Sequence, residues 1–388
     1  MTLGTSMKVA LVHDYLVERG GAEKVLAALH QTLPDAPIYT SVHNPDTTLD
    51  VFRGADVRAS FLQRLSAHPH RYRALLPLYP LAFRSFDLSA YDLIISSASG
   101  FAKGVRKAPG ARHVCYCYTP PRFVWGYQDA NHHERVGAAG RWGLRALRPY
   151  LARRDRVDAR SVDRFLTSSK YVADRIASVY GRDATVLPPP IDCAGFTPAD
   201  ERIDDFLLVS RLVPYKRVDT AIEAFNRNGL PLIVVGDGRD RRRLEAMARS
   251  DRIRFLGHLP QHDVRELLAS CRALIVTGEE DFGMAALEAN ASGRPVIAYG
   301  AGGALETVVP GVTGLTFEEQ TAAALIEAVD RFQGLAFGAE TLVGHARRFD
   351  TSQFQNAVRA IVHEEARLAA APGGERVAGP LQQGEARS

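Results

Sequence analysis

The chain has few cysteines, no long apolar run and no glycine fingerprint of the G-x-G-x-x-G kind. Cys115, Cys117, Cys193 and Cys271 are its four cysteines in 388 residues, too few and too scattered for a disulfide framework. Cys115 and Cys117 alternate along one apolar stretch, which puts both on one face of a strand. No second Cys/His cluster accompanies them, so a buried pair is expected and no metal site. No apolar run approaches the ~18 residues that cross a bilayer. The opening MTLGTSMKVALVHDY lacks the layout of a secretory signal, because its apolar part is short and strand-like. A cytoplasmic protein is expected, free or peripheral on the cytoplasmic face of a membrane. Neither sign of charge dominates. A net charge of +4 permits anionic ligands or an anionic membrane surface without requiring either.

What is present is a regular alternation of apolar strands and helix patterns. Lys8–His13, 36–40, 93–97, 113–119, 165–169 and 185–187 read as strands of a first unit. Pro188, Pro189 and Pro190 cannot continue a helix or a central strand, so a linker is expected at 188–200. Further strands follow at 206–209, 232–235, 253–256, 273–277, 296–298 and 315–317. Such alternation argues for doubly wound α/β domains. The expected division is 1–190 and 191–348, two Rossmann-like domains facing a cleft. A helix at 349–368 and a small, polar, Gly/Pro-rich tail at 369–388, expected to be disordered, complete the chain.

The most informative stretch is 278–295, GEEDFGMAALEANASGRP. A polar turn ending at Gly283 separates an apolar run from a helix opening at Met284. Such a unit aims free backbone N–H groups at a bound anion. Glu280 in the loop and Glu288 in the helix can reach different parts of one ligand, as acceptors for sugar hydroxyls. Arg211 and Lys216 lie in a loop before another helix. A guanidinium fork and a point charge at that spacing suit a diphosphate. Gly20 and Gly21 also precede a helix, within a candidate site loop from Asp14 to Glu23. Gly236 stands in a close turn at a strand end. Arg122 and Trp125 lie just past the carboxyl end of a strand, where open α/β sheets collect ligands.

These residues resemble the retaining glycosyltransferases of family 4, which have the GT-B fold. Glu280, Phe282, Gly283, Glu288, Gly293, Pro295 and Val296 stand at the positions of that family's Glu-x7-Glu block. Gly20, Gly21, Ala22 and Glu23 match its glycine loop, and Arg211 and Lys216 its phosphate contacts. The resemblance runs from about residue 7 to about residue 365. It implies two domains, with the last helix crossing back to the first. The second domain would hold the donor nucleotide, with Glu280 on the donor sugar, Glu288 on the ribose, and Gly236 and Gly257 near the nucleotide. The first would hold the acceptor. No metal or cofactor is implied, since Arg211, Lys216 and helix ends do that work and the nucleotide-sugar is a co-substrate. Thr119-Pro120-Pro121-Arg122 and Trp125 are similar to a mannosyltransferase-like branch. That branch has a His under the donor sugar where this chain has Tyr118, which can hydrogen-bond but cannot carry the same charge near neutral pH.

The segment Arg141–Arg164 holds eight arginines against three aspartates, interleaved with apolar residues. A solvated helix face is one reading, and a lipid-phosphate surface another. The Leu- and Arg-rich stretch His70–Phe86 is either a helix pair packed on the core or a second membrane-facing element. No nucleic-acid-reading motif is formed. The expectation is transfer of mannose from GDP-mannose to a lipid-linked oligosaccharide or polysaccharide during cell-surface glycan assembly. The alternatives are a UDP-sugar-dependent transferase of the same family, a non-catalytic sugar-nucleotide-binding subunit, and an epimerase of the same overall fold.

Overall fold

The computed structural model describes residues 7–65, 72–126, 138–199 and 201–370. Seven parallel strands make the first sheet: β1 (Val9–His13), β2 (Ile38–Thr40), β3 (Val57–Ala59), β4 (Leu93–Ala98), β5 (Arg112–Cys117), β6 (Arg164–Thr167) and β7 (Ala184–Val186), in the order 3-2-1-4-5-6-7. Six make the second: β8 (Phe206–Val209), β9 (Leu232–Val235), β10 (Ile253–Gly257), β11 (Leu274–Val276), β12 (Val296–Tyr299) and β13 (Gly314–Phe317), in the order 10-9-8-11-12-13. Helices used below are α1 (Gly21–Thr32), α2 (Ala138–Arg160), α3 (Lys170–Tyr180), α4 (Val218–Asn228), α5 (Met284–Ala291) and α6 (Thr351–Ala370).

Both sheets are covered on both faces, so their central strands read as continuous apolar runs. In β1, Ala10 and Val12 enter one core and Leu11 the other. In β8, Phe206 and Leu208 face one core and Leu207 the opposite one. Cys115 and Cys117 share the same core on one side of β5, both fully buried.

The chain crosses between domains twice, and the crossings lie side by side. The Ile191 N–H donates to the Phe349 carbonyl (2.9 Å), and the Thr351 N–H donates back to Ile191 (3.0 Å). Past this point α6 packs on α1 of the first domain. It buries Phe354, Val358 and Val362, and its buried Glu365 accepts from Arg112 (2.7 Å). Residues 200 and 371–388 of the expected linker and tail lie outside the described residues. So do His70 and Arg71; the remainder of that stretch is a 3₁₀ turn, Tyr72–Leu78, and a short helix, Tyr79–Arg84, with Tyr79 and Phe83 in the core and Leu81 exposed.

In each sheet the strand order reverses once, between β1 and β4 and between β8 and β11. Ligands of open α/β sheets bind outside the carboxyl ends of the strands at such a switch point. The two switch points face one another across a cleft of 590 Å³.

Candidate functional site

The second domain supplies charge. After β8 the chain runs through Arg211 to a 3₁₀ turn, Pro214–Lys216, and into α4 by way of Arg217, whose φ of 50° is left-handed. Lys216 Nζ donates to both oxygens of Glu280 (2.7 and 2.6 Å). The two loops lie so close that a Cβ on Gly278 would sit 2.9 Å from the Lys216 Cα. Arg211 donates to the Tyr215 hydroxyl (2.6 Å). Tyr215, then Glu18 and Tyr15 from the opposite wall, hold its guanidinium more firmly protonated than usual, against the effect of burial. Gly283, at φ 100°, starts α5, and no side chain caps that helix. Its first-turn N–H groups, at Met284 and Ala285, belong to the cleft wall.

The first domain supplies a polar framework. The Asp14 carboxylate accepts from the backbone N–H groups of Ser99 (2.6 Å), Gly100 (2.7 Å) and Ala102 (2.9 Å), tying the end of β1 to the turn after β4. Lys103, fully buried, donates to the Gly100 carbonyl (2.8 Å) and pairs with the buried Asp155 of α2 (2.5 Å). Glu23 reaches back to the Gly20 N–H (2.9 Å), which fixes the entry to α1. A Cβ on Gly21 would lie 3.1 Å from the Met284 sulfur. The N-terminal ends of α1 and α5 therefore meet across the cleft, an arrangement that favours a bound anion from both sides. Tyr118, half-buried, donates to the Ala22 carbonyl (2.9 Å) and contacts Ser97 Oγ (2.7 Å). Burial, then Tyr116, Glu23 and Asp14, push its phenol well above the ordinary value against the hydrogen bond from Ser97, so the ring stays neutral.

The walls are bridged by ion pairs. Asp281 binds Arg122 through one oxygen and Arg175 through the other (2.9 Å), and its carbonyl accepts from Ser169 Oγ (2.5 Å). Glu306 caps α3, accepting from the Lys170 (3.0 Å) and Tyr171 (3.1 Å) N–H groups. Tyr171 donates to Glu279, and Lys24 pairs with Glu288 (2.5 Å). Consecutive acids are thus divided between the domains: Glu280 is held by its own domain and Asp281 by the other.

Most residues singled out in the sequence line the cleft. Asp14, Gly20, Gly21, Glu23, Tyr118 and Arg122 do so from the first domain, and Arg211, Lys216, Glu280, Phe282, Gly283 and Met284 from the second. The Phe282 ring itself is buried against Phe349 (5.8 Å between centroids). Four stand elsewhere. Trp125 turns away to donate to Asp155 (2.8 Å) under the Arg156 guanidinium, because α2 covers that side. Glu288 lies behind the wall with Lys24. Gly236 serves backbone packing, since a Cβ there would be 1.9 Å from the Ser210 carbonyl oxygen, and one on Gly257 would meet Arg241 at 2.9 Å. Sequence reasoning placed Tyr15 and Glu18 only within the Asp14–Glu23 loop and passed over Ser99 and Gly100, all on the wall, and His13, Ser97 and Lys103 just beneath it. The position of β1 and β4 at a switch point is the signal that could have found them, and it is a property of strand order. Among the described residues no group of three or more His, Cys, Asp or Glu is gathered as metal ligands.

Comparison with known proteins agrees with this arrangement. The sequence model described as Glycosyltransferase Family 4 matches residues 19–194, and the one described as Glycosyl transferases group 1 matches residues 196–333. Glycogen synthase of Mycobacterium tuberculosis is 30% identical over 240 residues, 58% of this chain and 58% of that protein. A GDP-mannose-dependent monoacylated alpha-(1-6)-phosphatidylinositol monomannoside mannosyltransferase of Corynebacterium glutamicum is 33% identical over 204 residues, 44% of this chain and 53% of that protein. The chain spans a little over half the length of these curated relatives. Among solved structures, Anabaena HepE in complex with UDP and glucose superposes with a TM-score of 0.69 at 19% identity, over 92% of this chain and all of that one. Sucrose-phosphate synthase of Thermosynechococcus elongatus gives 0.69 at 18% identity, over 93% of this chain; at such identities the likeness speaks for the fold. The two models together take in both halves of the cleft: the chain belongs to glycosyltransferase family 4 and has its GT-B fold.

Proposed function

We propose that the cleft transfers a sugar from a nucleotide donor to a glycan acceptor with retention of anomeric configuration, and that the donor is GDP-mannose. The observation that carries the transfer reading is the meeting of the α1 and α5 N-termini beside Arg211 and Lys216. A leaving diphosphate there gains neutralising charge as its bond to the sugar breaks, which is transition-state stabilisation. The Lys216 ammonium has three protons and can serve Glu280 and a phosphate oxygen together. Glu280 then orients sugar hydroxyls. Neither Glu280 nor Glu288 is assigned as a nucleophile, and no metal or other cofactor is required. The choice of mannose rests on the Glu279–Gly283 and Thr119–Arg122 motifs, and the mannosyltransferase relative supports it. A UDP-sugar is the second reading, favoured by the Anabaena fold neighbour, which holds UDP and glucose.

The acceptor we propose is lipid-linked or polysaccharide, met at a membrane surface on the cytoplasmic side. Leu147, Tyr150 and Val157 of α2 are exposed beside Arg145, Arg153 and Arg160, a face that suits anionic lipid. Among the described residues no helix is long and apolar enough to cross a membrane. The test is thermal-shift binding across GDP-mannose, GDP-fucose, UDP-glucose, UDP-galactose and UDP-N-acetylglucosamine, followed by transfer assays with lipid-linked acceptors. Stabilisation selective for GDP-mannose supports the reading. A response to a UDP-sugar alone replaces the donor, and binding without transfer or hydrolysis favours a non-catalytic subunit. Sedimentation with anionic liposomes at low salt tests the surface.

A further inference from the structure

Beneath the glycine loop lies a chain of buried and half-buried polar groups that the transfer reading leaves unused. His13 Nδ1 is 3.0 Å from Ser97 Oγ, Ser97 Oγ is 2.7 Å from the Tyr118 hydroxyl, and Tyr118 donates to the Ala22 carbonyl at 2.9 Å. On the far side of the ring His13 Nε2 stands 3.7 Å from Glu23 Oε1, and the other oxygen of Glu23 holds the Gly20 N–H. The members come from β1, β4, the residue after β5 and α1, so they join the switch point of the first sheet to the loop above it.

The direction of the bonds follows from the donor inventory. A carbonyl only accepts, so the single phenol proton of Tyr118 is committed to Ala22. The contact with Ser97 then requires the serine hydroxyl to donate to Tyr118. Ser97 Oγ has no second proton, so His13 must present Nδ1–H to it. One assignment satisfies all three contacts, and it points every proton toward the loop.

We infer that Tyr118 is a positioning residue, whose hydroxyl, oriented by Ser97 and His13, holds the Ala22 carbonyl and so fixes the Gly20–Gly21–Ala22 turn that faces α5 across the cleft. This builds on the transferase reading of the cleft and assigns Tyr118 no proton transfer. Its proton is committed to Ala22 and its oxygen accepts from Ser97, and its ring is set edge-on to Tyr116 (5.2 Å between centroids). A histidine placed there has no single atom that both donates to a carbonyl and accepts from a serine hydroxyl; a phenol oxygen does both and stays neutral throughout the physiological range.

The test compares Tyr118→Phe, Ser97→Ala and the double variant in the full chain. The first readout, amide hydrogen exchange of the peptide covering residues 15–24, needs no substrate. Tyr118→Phe is expected to accelerate that peptide about tenfold while the β4 and β5 amides keep their protection. Ser97→Ala should accelerate it less, and the double variant no more than Tyr118→Phe alone, because Ser97 acts through Tyr118. The second readout is calorimetric binding of GDP and UDP, whose affinity should fall in the same order. Unchanged exchange in Tyr118→Phe, additive effects in the double variant, or loss of protection across the whole first sheet would overturn the inference. If Tyr118→Phe does not fold, exchange in Ser97→Ala decides alone: acceleration confined to 15–24 supports the inference, and none refutes it. If the parent chain binds neither GDP nor UDP, the transferase reading fails, while the exchange result still decides whether Tyr118 positions the loop.

Discussion

The two domains share a strand order and a pair of facing switch points, yet they equip those points differently. In the first, side chains near the cleft are tied to buried backbone and to one another: Asp14 to three N–H groups, Lys103 to Asp155 and Gly100, Tyr118 to Ala22. In the second, Arg211 is exposed and Lys216 and Glu280 are only partly buried, and they pair mostly among themselves or with Tyr215. One half is a scaffold whose Asp14, Lys103 and Tyr118 are already bonded within it; the other carries charge that a ligand can share. Buried groups must be satisfied internally because their unpaired state is costly, whereas charges at a cleft edge can exchange partners cheaply.

The sharpest division is expected between activity and stability. Lys216→Ala and Glu280→Ala should each lower transfer at least about 100-fold, in the range for losing one preorganised transition-state contact, while thermal melts stay close to the parent. Full activity in either variant would remove the second domain's charges from the mechanism. Asp14→Ala should do the reverse. It strips the acceptor from three backbone donors, so denaturant titration should show a loss of about 3 kcal/mol or more, at 1–3 kcal/mol for each orphaned group. A loss under about 1 kcal/mol would mean that the framework does not depend on Asp14. The smallest effect concerns pH. His113 is buried, and burial, then Lys107, lower its pKa to about 3 from 6.5. The native protein keeps it neutral while the unfolded chain takes up a proton below 6.5. Stability is therefore complete above that value and declines as pH falls toward 3, by at most about 1.4 kcal/mol per pH unit from this residue. His30 and His43, also lowered by burial, act in the same direction from the same domain. Melts between pH 7.5 and 5 should show the decline, and His113→Asn should flatten it. An equal slope in the variant would place the proton uptake elsewhere.

Much of the fold was legible because buried parallel strands need apolar residues on both faces. KVALVH, LIISS, FLLV and LIVV announce themselves. β3 did not: Val57, Arg58 and Ala59 form an edge strand defined by pairing with Ile38, Tyr39 and Thr40, with no apolar run of its own. The site was legible where chemistry and local backbone coincide, as at Gly20–Gly21, at Lys216 and in the Glu280–Met284 turn. It was misleading where a distant element intervenes. Trp125 reads as an exposed residue past a strand end until α2 covers it, and Glu288 reads as an acid reaching the ligand until Lys24, 264 residues earlier, meets it.

The sequence by itself determined two doubly wound domains, the cations and acids near Arg211 and Glu280, and the turns that carry them, because hydrophobic periodicity and turn chemistry are local. Only the tertiary structure decided which of those groups share a cleft. It set two strand-order reversals opposite each other, brought two helix N-termini together, committed Asp281 and Glu288 to the other domain, and set Tyr118 against Ser97. Those outcomes depend on long-range pairing and on the closing of one domain over another, which no stretch of sequence encodes alone.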